Sequence, residues 1–194
     1  PKAFEFRALI ASDWLPAGIS VGQWRHYEGQ GHYAKFTYFD AQWRPVLLLE
    51  YDTGNVAATL RYTRTAYDSN GRVSFQSYPV NDPALATTGT RTFYDALDRV
   101  TRVEQDSEHG VLATNTEYQS GLKTRIPHPR GFQTAPRFMA WDAPGYDLPI
   151  RSDQPENKVI EIVRHPQFGW PLQLKQRSAD NSQQQTRYYV YDGH

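Results

Sequence analysis

Apolar positions in this chain alternate far more often than they form stripes. "KAFEFRALI", residues 2–10, sets Phe4 and Phe6 on one side, and "PLQLKQ" sets Leu172 and Leu174 opposite Gln173 and Lys175. A period of two marks strands. No apolar i, i+3, i+4, i+7 stripe lasts three turns, and 13 Pro and 13 Gly are scattered throughout. "ENKVIEIVRH", residues 156–165, contains helix formers, but its Val and Ile and the bounding prolines favour a strand. "TRYYVYD" places Tyr189 and Tyr191 on one face and Tyr188 and Val190 on the other, and "KFTYFD" behaves likewise. A sandwich has one dry face per sheet. These strands instead predict a ladder half-wetted on both faces, without a single buried core.

The strands recur. Aligning the residue before a repeated Asp gives Phe39, Tyr67, Tyr94, Tyr118, Trp141, His165 and Tyr191, spaced by about 25 residues. The next position holds Asp40, Asp68, Asp95, Gln119, Asp142, Pro166 and Asp192. "AQWRP", "SNGRV", "ALDRV", "SGLKT", "APGYD" and "QFGWP" follow. The unit reads as a turn. Asp accepts from the backbone two residues on. Gly71, Gly145 and Gly169 are suited to positive φ, and Asp98 tolerates it better than most side chains. Arg61, Arg64, Arg72, Arg91, Arg99 and Arg102 fall near these turns, where pairing with Asp and stacking on Tyr is expected. Second loops recur as well: "SYPVNDPALATTG", "DSEHG", "HPRG", "SDQPEN" and "RSADNS". Each repeat is therefore two strands and two turns. About thirteen strands at roughly 4.8 Å spacing make a ribbon on the order of 60 Å wide. A ribbon beyond ~10 strands is expected to curl, split or flatten, and curling into a stretch of wall is the expectation here. Residues 1–35 do not align with the repeat. They read as a divergent leading repeat or the edge of a preceding domain, and residues 36–194 as about six repeats plus the start of a seventh, within a larger protein.

Composition changes this picture little. Aromatics make up 14% of the chain while mean hydropathy is −0.72, so the apolar mass sits in rings rather than aliphatic runs. Lys plus Arg and Asp plus Glu number 21 each, which gives no electrostatic reason to expect nucleic acid as a partner. There is no Cys, and no 18-residue apolar run that would make a membrane span.

"YDSNGRV", "YDALDRV" and the terminal "YVYDG" resemble the tyrosine–aspartate (YD) repeat of the RHS family, as does the segment "FMAWDAPGYDLPIRSDQPENKVIEIVRHPQFGWPLQL". That family includes bacterial polymorphic toxins, the C component of insecticidal toxin complexes, and the teneurins. The resemblance covers residues 36–194, with Gln119 and Pro166 departing from the motif. It implies an all-β antiparallel hairpin-repeat sheet curling as part of a hollow β-shell. In bacterial members the shell is exported and encloses a C-terminal toxic domain of the same polypeptide. The expected function is therefore structural: a secreted or cell-surface wall segment, not an enzyme. The alternative is an extracellular module binding a glycan or a receptor. The repeat-motif residues are Phe39, Asp40, Tyr67, Asp68, Gly71, Arg72, Tyr94, Asp95, Arg99, Tyr118, Trp141, Asp142, Gly145, Gly169, Tyr191 and Asp192. Segments matching the family's autoprotease are not found, so no catalytic residue is carried over.

Other motifs read blandly. "GISVG" matches the nucleophile elbow with Ser20, but no helical pattern follows it. The recurring Asp residues are explained by turns rather than by paired-carboxylate catalysis. The six His form no metal-binding spacing, the closest being His26 and His32, and "YDSNGR" lacks the rest of a calcium loop. No cofactor or metal is expected. Trp24, Tyr27, Trp43, Trp141 and Trp170 are the candidates for stacking on a ligand, against a simpler role in cross-strand packing.

Overall fold

The computed structural model describes residues 2–128, 131–140 and 145–192. It is all-β, in two antiparallel sheets. The first sheet holds β1 (Lys2–Ala8), β2 (Trp24–Gln30), β3 (Tyr33–Phe39), β4 (Pro45–Asp52), β5 (Arg61–Tyr67), β6 (Val73–Ser77), β7 (Gly89–Tyr94), β8 (Val100–Ser107) and β9 (Gly110–Asn115). The second holds β10 (Glu117–Gln119), β11 (Lys123–Pro127), β12 (Gln133–Phe138), β13 (Pro149–Gln154), β14 (Lys158–Arg164), β15 (Pro171–Ser178) and β16 (Gln184–Tyr188). Spatial order equals chain order in both, so each sheet is a meander of hairpins. The one α-helix among the described residues is the four-residue α1 (Val56–Thr59). Of residues 156–165, expected as a strand, Lys158–Arg164 form β14, while Glu156 and Asn157 belong to a short 3-10 turn before it.

By compactness the chain divides into two units. One runs to Phe93 and includes Val103–Ala113; the other comprises Tyr94–Arg102 and the chain from Thr114 on.

The first unit departs from the expectation of two half-wet faces. Along β3, Ala34 and Tyr38 are buried, and they align with Leu47 and Leu49 of β4 and Tyr62 of β5. Leu9 and Ile19, from the segment between β1 and β2, join Tyr38, Leu47, Leu49 and Tyr62 in a six-residue core. The segment is tied down at both ends. Arg7 donates to Asp13 at 2.5 and 2.7 Å, and Arg64 donates to the Ala17 carbonyl at 2.6 Å. Residues 9–23 thus act as a cover over one face of β3–β5. Sequence periodicity misses this, because the covering residues are not in strands. Gly29 lies beneath the Tyr27 ring, whose hydroxyl stands 2.2 Å from where a Cβ would project. Gly89 is closer still to its neighbour: a Cβ there would sit 2.1 Å from the Gln76 carbonyl oxygen.

The second unit fits the wetter expectation. Among its described residues only Thr124, Ala135, Val159 and Gly169 are fully buried, and most strand residues are half-exposed.

Candidate functional site: recurring turns and aromatic faces

Three turns share one construction. After β3, Asp40 N–H donates to Arg44 O at 3.0 Å and Trp43 N–H donates to Asp40 O at 3.1 Å. One Asp40 oxygen accepts from Gln42 N–H at 2.8 Å and Arg44 N–H at 3.0 Å; the other takes the Arg44 Nε at 2.8 Å. After β5, Asp68 accepts from Asn70 N–H, Arg72 N–H and Arg72 Nε at 2.9, 2.9 and 2.7 Å. After β7, Asp95 accepts from Leu97 N–H, Arg99 N–H and Arg99 Nε at 2.9, 3.0 and 2.7 Å. Each is a three-residue hairpin loop whose last residue is left-handed, the G1-bulge form: Trp43 (φ 63°), Gly71 (φ 83°) and Asp98 (φ 61°). Register shifts between Tyr38 and Phe39, and between Ala66 and Tyr67, mark the bulges beside two of them. The positive φ expected of Gly71, Gly169 (φ 69°) and Asp98 is found.

The Arg is the link to the next repeat. Arg44 lies over the Tyr67 ring at 4.4 Å, and Tyr67 Oη donates to the Pro45 carbonyl at 2.8 Å. Arg99 lies over the Tyr118 ring at 4.1 Å, and Tyr118 Oη donates to Val100 O at 3.0 Å. Arg99 also donates to Tyr146 Oη at 3.1 Å. At the end of the chain Tyr191 Oη donates to Pro171 O at 2.8 Å. The Tyr of one repeat therefore closes onto the residue after the turn of the repeat before it. Asp orients Arg, Arg covers the Tyr face, and the Tyr hydroxyl satisfies a carbonyl.

Electrostatics follow from this geometry. Burial pushes the Asp40 and Asp68 carboxyls up, but the backbone and guanidinium hydrogen bonds outweigh it and hold both below the usual range. For Asp95 the Arg99 side chain is the largest influence, and the carboxyl is again held low. Burial raises the Tyr67 and Tyr118 phenols, against the partial pull of the arginine above each. Every oxygen of these carboxylates is engaged in holding a turn, so they are anchors rather than groups poised for proton transfer.

Some expected positions change. The sixth unit is capped by His165, not Pro166. His165 N–H donates to Trp170 O at 2.7 Å, and its Nδ1 accepts from Gln167 N–H at 3.1 Å and Phe168 N–H at 3.3 Å. An inserted residue lengthens this loop by one, so the imidazole does the work of the carboxylate. Arg72 and Arg99 pair with motif Asp as expected. Arg91 instead pairs with Asp106 at 2.9 Å, Arg61 donates to Leu60 O, and Arg64 to Ala17 O. Tyr94 closes β7 and Phe39 closes β3. Gly145 stands in the β12–β13 connection, and Asp192 lies beyond β16. Trp141 and Asp142 lie outside the described residues. Arg44 and Tyr146 were not singled out from the sequence; Arg44 shares the Asp-x-x-x-Arg spacing of Arg72 and Arg99, which is the signal that identifies it.

The aromatic candidates fall into separate groups. Trp24 and Trp43 meet at 5.3 Å, and Phe6 lies 5.0 Å from Trp24 and 5.8 Å from Trp43. Tyr27 is on the opposite face, 4.8 Å from Phe36. Trp170 stacks 4.8 Å from Phe168 and 5.1 Å from Tyr191, in a recess also lined by Asp192. Ser20 is followed by β2 rather than a helix, which removes the nucleophile-elbow setting. Among the described residues no three His, Asp or Glu side chains cluster as metal ligands, and no helix is long and apolar enough to cross a membrane.

No protein-family model matches this chain, and a search of curated proteins returns no match.

Proposed function

We propose that this chain is a wall segment of an exported RHS-type β-shell that encloses and delivers a toxic domain lying further along the same polypeptide. The observation that carries the proposal is the Asp–Arg–Tyr link between successive repeats, seen at Asp40–Arg44–Tyr67 and again at Asp95–Arg99–Tyr118. It uses the motif's charged and aromatic side chains to join one hairpin to the next. Within each of the two sheets the strands are hydrogen-bonded in strict chain order. Such a sheet works by exclusion, keeping a cargo from water and proteases. The test is limited proteolysis of the parent protein, with mass spectrometry following the segment after residue 194. Survival of that segment while the repeats are folded, and its loss once they are denatured, supports a container. Immediate cleavage under native conditions ends that reading.

The second reading is a glycan- or receptor-binding surface. It is favoured by the exposed rings of Phe6, Trp43, Phe168 and Trp170, each half or nearly half accessible. Measurable binding of an oligosaccharide that Trp170→Ala abolishes, with the fold intact, would support it.

A further inference from the structure

Directly opposite residues of neighbouring strands project from the same face of a sheet, so the pairing registers show which side chains stand in line across it. In the first sheet one such line runs through Glu28 of β2, Lys35 of β3, Glu50 of β4 and Arg61 of β5. Its charges alternate in sign, and Lys35 reaches Glu28 at 3.6 Å. In the second sheet a line runs through Gln119 of β10, Lys123 of β11, Arg137 of β12, Arg151 of β13, Glu161 of β14 and Lys175 of β15. Here three cations follow one another before the first carboxylate.

The two ends of that line differ. Glu161 takes Arg151 at 3.4 Å and Arg177 at 2.9 Å, and Arg151 also holds Asp153 at 2.9 Å. Lys175 stands opposite Glu161, so this end is matched. Lys123 and Arg137 are not matched: neither forms an ion pair among the described residues. Lys123 faces the neutral Gln119 on one side and Arg137 on the other, and Arg137 faces a cation on both sides. Like charges directly opposite one another weaken a sheet. Arg137 is exposed and Lys123 half-buried. Their strands lie inside the sheet, each with a paired strand on both sides, so the face they share is built by the repeats themselves and not by a free edge.

We propose that Lys123 and Arg137, extended by Arg151, form a docking surface for an acidic segment of a protein partner. The first sheet shows which group satisfies such a line: a carboxylate side chain level with each cation. In the second sheet the partner supplies it. Adjacent cations lie one strand apart, about 4.8 Å, and carboxylates at i, i+3 or i+4 along one face of a helix lie about 5–6 Å apart. An acid-striped helix laid across the strands therefore meets Lys123, Arg137 and Arg151 in turn, and Glu161 ends the run. The contact is electrostatic and open to solvent, so it is weak and sensitive to salt.

Fluorescence anisotropy on the 194-residue chain tests this. The probe is a labelled, Ala-rich helical peptide with Glu at every third or fourth position along one face, and its twin carries Gln in place of each Glu. The Glu peptide should bind at about 20 mM salt and be largely released at about 150 mM; the Gln peptide should not bind. Lys123→Gln combined with Arg137→Gln should weaken binding at least about fivefold with circular dichroism unchanged. Lys35→Gln, in the matched line of the first sheet, should leave binding as it was. Arg137→Glu makes the signs alternate and should raise the melting temperature by a few degrees without any peptide. No binding at low salt overturns the proposal, as does a double variant that binds as well as the native chain. Tighter binding of a heparin fragment or an oligothymidylate of equal charge overturns the assignment to an acidic protein segment. A lower melting temperature for Arg137→Glu overturns it too, because the cations are then not in conflict.

Discussion

Replacing Gly71 by Asn, Ala and Val in turn grades the left-handed strain at the last position of the Asp68 turn. Gly71 has φ 83°, and a Cβ added there meets nothing nearer than Arg44 Nη1 at 3.6 Å. That is ordinary van der Waals contact, so no clash contributes and the cost is conformational. A side chain in this region costs roughly 1–2 kcal/mol. Ala recovers about 0.4–1 kcal/mol by restricting the unfolded chain, which leaves a net loss of about 1 kcal/mol. Val is β-branched and should lose about 2 kcal/mol or more, whereas Asn tolerates the region and should lose about half a kcal/mol or less. Urea denaturation followed by tryptophan fluorescence reads these as shifts of the midpoint at constant slope. Equal midpoints for Ala, Val and Gly would mean that the turn does not hold residue 71 left-handed. A loss with Asn as large as with Val would point to the new atoms' contacts instead.

Further outcomes follow from the same geometry. Gly89→Ala should be more damaging than Gly71→Ala, because its Cβ would lie 2.1 Å from a backbone oxygen; equal melting of the two variants would contradict this. Tyr67→Phe removes the 2.8 Å bond to Pro45 O and should cost about 1 kcal/mol, while Tyr67→Leu should cost more by also losing the ring under Arg44. Phe and Leu variants of equal stability would show that the stacking contributes nothing. Asp40, Asp68 and Asp95 titrate below their unfolded value near 3.9. Their stabilisation is thus complete above about pH 4 and lost as pH falls through the folded values. Melting temperature should fall in that acid range, and less steeply in Asp95→Asn, which has already lost the group; an unchanged acid limb in that variant would remove Asp95 from the account.

What was legible in the sequence was local. Asp68 and Asp95 followed four residues later by Arg, with Gly71 or Asp98 between, announce a capped turn because every partner lies within five residues. Trp43 and Leu122 adopt the same left-handed geometry (φ 63° and 52°) without a residue type that signals it. Neighbouring strands dictate their conformation. The His165 turn was misregistered by one residue for a related reason: an imidazole nitrogen accepts the same N–H groups as a carboxylate, but its place in the loop depends on an insertion. The cover formed by residues 9–23 was illegible because Leu9 and Ile19 reach their partners across long separations in the chain. The division into two sheets was likewise not marked. "ATNTEYQ", spanning β9 and β10, has no Pro or Gly where the strand breaks at Thr116, whose N–H turns to Thr101 O at 2.8 Å.

The aromatic candidates show how far composition reaches. It identified rings on strands, and Trp24 with Trp43 do meet. It did not separate Tyr27, which the two-residue period puts with Phe36 on the other face.

Electron cryo-microscopy of the parent protein tests the central claim most directly. The account predicts that the repeats form a wall of hairpin sheets that curves round and closes on a space, with density for the downstream segment inside it. A flat or open sheet, with that segment outside in solvent, would contradict it.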